Sequence, residues 1–144
     1  CNWIYANIEY LGGSSSSQTS ASDILVQRAG VCRDFAHLGI AFCRALNIPA
    51  RFVSGYSNGL VPQDFHAYFE AYLGDRWYVF DATRAARQNA LVRIGIGRDA
   101  ADVSFATIFG QAEMHTISVF ANLIEEGQSA LQSPEMTLAA VATL

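Results

Sequence analysis

Cys32, His66 and Asp81 supply a nucleophile, a base and a carboxylate in one short stretch of chain. A helix is expected to begin at about Cys32. A thiol in a first helical turn lies near unsatisfied backbone N–H groups and the positive end of the helix dipole, both of which favour thiolate. The Cys32 backbone N–H is the best-supported oxyanion donor at such a terminus. His66 and Asp81 fall on two strands of an expected hairpin about Gly74–Asp75. In that register Leu73 pairs with Arg76, Tyr68 with Asp81, and His66 with Thr83, so His66 and Asp81 emerge on one face. As diagonal neighbours their Cβ atoms lie roughly 7–8 Å apart. A carboxylate there can fix the imidazole tautomer and stabilise the imidazolium. A register shift of one would send Asp81 to the other face. Asp64 is the rival orienter, since it shares strand parity with His66.

Other polar residues have blander readings. Cys43 projects along much the same helical face as Cys32, about 16 Å away by helical rise, and reads as a small buried residue. His37 lies about 140° around the helix from Cys32 and reads as a packed or hydrogen-bonded histidine. Asp34, beside Arg33, favours the helix start, and a pairing with Arg51 is conceivable. Tyr68 and Glu70 share the His66 face and suit cross-strand packing, with Tyr68 a possible cleft wall. Trp3 reads as a core aromatic rather than an oxyanion donor. Arg98, Asp99 and Asp102 read as a structural ion-pair network.

The elements that must position these residues follow from periodicity and turn chemistry. Ile4, Ile8 and Leu11 have helical spacing in the opening CNWIYANIEYL. The Gly/Ser-rich GGSSSSQTS is a loop. A second helix starts at Ser20 or Ser22 and ends at Gly30, and a third runs from Cys32 to Leu46, with Asn47 left-handed after it. ARFVSGY, FHAYFEAYL, RWYVFDAT, LVRIGIG and HTISVFANLI read as strands, and GRDAADVSF as a turn or short helix. Helices first and then mainly antiparallel strands give an α+β architecture. Residues 1–124 form the expected core and 125–144 a C-terminal tail, loosely attached.

The segments GVCRDFAHLGIAFCRALNIPARFVSGY and DFHAYFEAYLGDRWYVFDATR resemble the core of the bacterial transglutaminase-like family. The resemblance runs from about Ala21 to Val103. It implies a papain-like α+β core with the nucleophile at a helix start, packed on an antiparallel sheet, and it matches Cys32, His66 and Asp81 to the family's triad. Tyr68 stands where the family usually has Trp, Ala82 where Pro often follows the Asp, and Asn47 where Gly is frequent. Relatives of this kind commonly carry an additional N-terminal domain, whereas this chain starts near the first core helix. The implied activity is a cysteine hydrolase, a peptidase or amidase working through a thioester acyl-enzyme. The alternatives are a true protein-glutamine γ-glutamyltransferase and a binding module that kept the fold. The implied partner is a peptide or protein substrate, and no organic cofactor is implied.

Bulk composition narrows the field. The chain has 144 residues, 51% hydrophobic and 15% charged, which suits one packed domain. A net charge of −4 without a Lys/Arg run argues against nucleic acid. No apolar stretch reaches a bilayer-spanning length, so neither a membrane helix nor a signal peptide is expected. Three cysteines without a regular framework argue against a disulfide scaffold and favour a reducing, cytoplasmic setting. With no CxxC, HExxH or dense acidic calcium loop, neither zinc nor calcium is expected.

Overall fold

A computed structural model of the chain describes residues 1–113, 115–122 and 141–143. Its first helix, α1 (Asn2–Asn7), is shorter than its apolar spacing suggests. Ile4 and Ile8 are buried, but the backbone turns extended at Ile8 (φ −117°, ψ 126°) and Leu11 stays exposed. The next residues, β1 (Glu9–Tyr10), pair in parallel with β2 (Ala29–Gly30). Between them, α2 (Ala21–Gln27) begins with a capping box. Asp23 N–H donates to the Ser20 hydroxyl at 3.2 Å, and Asp23 Oδ2 accepts Ser20 N–H at 2.9 Å. The helix ends on Arg28, left-handed at φ 60°, rather than at Gly30. Gly30 belongs to β2, where a Cβ would meet that of Asp34 at 2.8 Å.

The long helix α3 (Cys32–Ala45) starts and stops as its sequence suggests, with Asn47 left-handed at φ 58°. It packs on an antiparallel sheet of β3 (Ala50–Ser57), β4 (His66–Leu73), β5 (Arg76–Phe80), β6 (Leu91–Gly97) and β7 (Val141–Thr143), in the order β6-β3-β4-β5-β7. Phe35 and Leu38 from α3 meet Phe52 and Phe69 from the sheet in one core. Burying a side chain of this size contributes about 1.5–3 kcal/mol, enough to fix the helix on the strands. A Cβ on Gly39 would run into the Phe69 ring, so glycine sets that close approach.

The β4–β5 hairpin adopts the expected register from Leu73↔Arg76 to Phe69↔Phe80. Of the two turn residues only Gly74 has positive φ (68°), as a type II′ turn requires. The second strand is shorter than expected, because Asp81 leaves the ladder to accept hydrogen bonds from Thr83. Within β4, Glu70 is fully buried between Arg51 (2.5 Å) and Arg93 (3.2 Å). The expected strand over HTISVFANLI is absent from residues 115–122, which carry no ladder pairing, and 123–124 lie outside the described residues. Most of the expected tail, 125–144, also lies outside them. Within it, Val141–Thr143 pairs with β5.

Candidate active site

The helix start carrying Cys32 is held by Asp34. Val31 precedes the helix and has no polar side chain, so Asp34 Oδ2 reaches back to accept Val31 N–H at 2.9 Å. The same fully buried carboxylate accepts from Ser15 Oγ and from Arg33, at 3.1 Å to Nε and 3.0 Å to the terminal nitrogen. Asp34 therefore pairs with Arg33 and Ser15, while Arg51 belongs to Glu70. Ser15 lies in the Gly/Ser-rich loop, which ties that loop to the helix terminus.

His66 opens β4 and is 3% exposed, and Asp81 just after β5 is 7% exposed. His66 Nε2 and Asp81 Oδ2 are 2.8 Å apart. The second Asp81 oxygen accepts Thr83 N–H at 2.9 Å and Thr83 Oγ1–H at 2.7 Å. Each carboxylate oxygen is thus committed, which fixes its orientation toward the ring. The half-buried Cys32 side chain lies within hydrogen-bonding reach of His66. With Nε2 taken by Asp81, Nδ1 is the ring nitrogen left for the thiol. Burial pulls the His66 pKa down, but the hydrogen bonds with Asp81 and Cys32 and their negative charge outweigh it, pushing it up to about 9. Gly55 faces His66 across β3–β4, and a Cβ there would strike the Val92 carbonyl and crowd the Tyr68 ring.

The remaining candidates separate cleanly. Asp64 is exposed and accepts the Phe65 N–H at 2.7 Å, so it rims the site rather than holding His66. His37 Nε2 accepts Ala100 N–H at 3.1 Å and its ring lies 5.1 Å from that of Phe52. Tyr68 is buried, its ring 6.3 Å from that of His66. Trp3 is half-exposed, not a core residue, with its ring against Phe42 and under Arg28. Arg98 and Asp102 form the expected ion pair at 2.9 Å, while Asp99 caps Ala101 N–H. Cys43 is half-buried at the edge of the core. Among the described residues, no cluster of three or more His, Cys, Asp or Glu could hold a metal ion. No helix among them is long and apolar enough to cross a membrane.

One residue of the site escapes sequence reasoning. The Tyr10 hydroxyl lies within hydrogen-bonding reach of both the Cys32 side chain and the Cys32 backbone N–H. Burial and the Cys32 side chain push its pKa up to about 12. Tyr10 arrives there because β1 pairs with β2 just before α3, a contact that the helical spacing of the opening segment conceals.

The sequence profile of the transglutaminase-like superfamily matches residues 1–82. The crystal structure of a putative cysteine protease from Cytophaga hutchinsonii is 53% identical, with a TM-score of 0.75 over 87% of this chain and 46% of that one. Calcium-bound LapG of Legionella pneumophila shares the fold at a TM-score of 0.53 and 18% identity, over 67% of this chain and 60% of LapG. An uncharacterized protein of Mycobacterium leprae is 33% identical over 111 residues, 71% of this chain and 39% of the relative. The chain thus spans less than half the length of its Cytophaga and Mycobacterium leprae relatives. The mixed helix and antiparallel sheet is the α+β papain-like core that these structures share.

Proposed function

Since the chain belongs to the transglutaminase-like superfamily, we propose that it is a cysteine hydrolase, a peptidase or amidase, with Cys32 as nucleophile, His66 as acid–base group and Asp81 as orienter. The observation that carries this reading is the His66 ring, buried with Asp81 on Nε2 and Cys32 within reach of its other nitrogen. The Cytophaga relative's description as a putative cysteine protease supports the same class.

The chemistry follows from that arrangement. Sulfur attacks an amide carbonyl as thiolate, its proton resting on the imidazolium. A ring with a pKa near 9 keeps that proton at neutral pH until the leaving amine needs it. Asp81, fixed by Thr83, stabilises the cation and holds Nδ1 toward the sulfur. Amine departure leaves a thioester on Cys32, and His66, now neutral, draws a proton from the water that hydrolyses it. Water has access, because Cys32 is only half-buried and Tyr10 beside it is 54% exposed. Hydrolysis is therefore favoured over transfer to an amine, which must bind first.

Profiling of peptides cleaved or deamidated by the protein, against Cys32→Ala, tests the reading. The expected result is a product set that disappears in the variant. Efficient incorporation of a primary-amine probe into glutamine peptides, with little cleavage or deamidation, would assign the protein instead to amine transfer.

A further inference from the structure

We propose that the Tyr10 hydroxyl is the second oxyanion donor of the site, acting with the backbone N–H of Cys32. The inference rests on the hydrolase reading and extends it to the tetrahedral intermediate. An acyl carbon bonded to Cys32 Sγ must place its oxygen beside the sulfur, where donors have to converge. The Tyr10 hydroxyl is within reach of the two atoms that define that place, the sulfur and the Cys32 N–H. Its backbone is anchored there. Tyr10 pairs with Gly30, two residues before Cys32, and Leu11 N–H donates to Gly30 O at 2.9 Å. Its ring leans on Phe35 of α3, centroids 5.9 Å apart. Anchoring at both ends of the residue leaves the hydroxyl little to reorganise when charge develops.

Trp3, an aromatic donor on α1, is badly placed. Trp3 packs against Phe42, ten residues along α3 from Cys32, or about 15 Å by helical rise. Arg33, next to the nucleophile, is committed to Asp34 and Ser15. Tyr10 carries a neutral O–H at the right position.

In the step itself, the Cys32 thiolate forms the S–C bond while the carbonyl π pair moves onto oxygen. That oxygen enters between the Cys32 N–H and the Tyr10 O–H and accepts from both. When the C=O bond re-forms, the C–N bond breaks and the His66 imidazolium gives its proton to the departing amine. Tyr10 keeps its own proton throughout.

The experiment compares two reactions of the same sulfur. Acylation by p-nitrophenyl acetate passes through an oxyanion, whereas alkylation by iodoacetamide displaces iodide and forms none. Tyr10→Phe keeps the ring contact with Phe35 and removes the O–H. We expect the rate of Cys32 acylation to fall about a hundredfold while alkylation changes less than threefold. Tyr10→Trp, whose indole N–H is a donor only, should recover part of the acylation. Equal effects of Tyr10→Phe on both reactions, or unimpaired acylation, would overturn the assignment to Tyr10 and leave the hydrolase reading standing. If wild type fails to acylate at Cys32, with Cys32→Ala as reference, both readings fall.

Discussion

Two cysteines on one helix illustrate how environment separates reactive from inert thiols. Cys32 sits in the first turn of α3 beside His66 and Tyr10, whereas Cys43 lies in its last turn at the edge of the apolar core. Burial pushes the Cys43 thiol up. Limiting iodoacetamide at pH 7 with peptide mapping should therefore label Cys32 well before Cys43. The two carboxylates near His66 divide in the same way. Asp81 is buried and bonded to the ring, and Asp64 is exposed and bonded to its own neighbour's N–H. Asp81→Asn should lower turnover roughly 10³-fold or more, and Asp64→Asn less than about threefold. Comparable losses in both folded variants would transfer the orienting role toward Asp64. The His66–Asp81 contact was legible because strand register is readable from a Gly-Asp turn and alternating apolar residues, while Cys32 joined the pair through the family resemblance. Tyr10 was not, because a single hydroxyl in a helix-like pattern carries no local sign of its distant neighbour.

At the scale of elements, legibility follows the locality of the interactions. The Ser20 cap, one of the two starts the sequence offers, Asn47 and the Gly74 turn are set by residues within four positions, and the structure uses each of them. The two-residue β1–β2 bridge joins segments about twenty residues apart and has no periodicity of its own. HTISVF alternates like a strand, yet alternation specifies an amphipathic face and not a partner, and residues 115–122 pair with nothing in the ladder. The element that matters most to the site is the start of α3, built by a residue inside the helix rather than before it. Asp34→Ala removes the acceptor for Val31 N–H and the partner of Arg33. Denaturant unfolding should show a loss of about 2–3 kcal/mol. Asp34→Asn keeps an acceptor for Val31 N–H and should lose less. Iodoacetamide labelling of Cys32 should slow in Asp34→Ala even where the protein remains folded, because the helix terminus is no longer fixed.

Across the whole molecule, the site lies where three separate parts of the chain meet: the β1 segment, the start of α3, and the open end of the β4–β5 hairpin. None of these parts can hold a charged imidazole alone, so the charge state of His66 becomes a property of the fold. Its folded pKa, about 9, exceeds the value of roughly 6.5 expected in the unfolded chain. Between those two values the folded state holds a proton that the unfolded state has released. Folding stability from this group is therefore complete below about pH 6.5 and is lost as pH rises through about 9. Urea midpoints should fall between pH 6.5 and 9 in wild type. The decline should flatten in His66→Asn, which cannot titrate, and weaken in Asp81→Asn, which keeps the ring but removes its charged partner. The half-buried Cys43 thiol also titrates, but its raised pKa puts its effect at the alkaline end of this range or beyond. A wild-type curve flat from pH 6.5 to 9, or a decline unchanged in His66→Asn, would show that the ring is not held as imidazolium by the fold. Proton storage for the leaving amine would then have to come from another group.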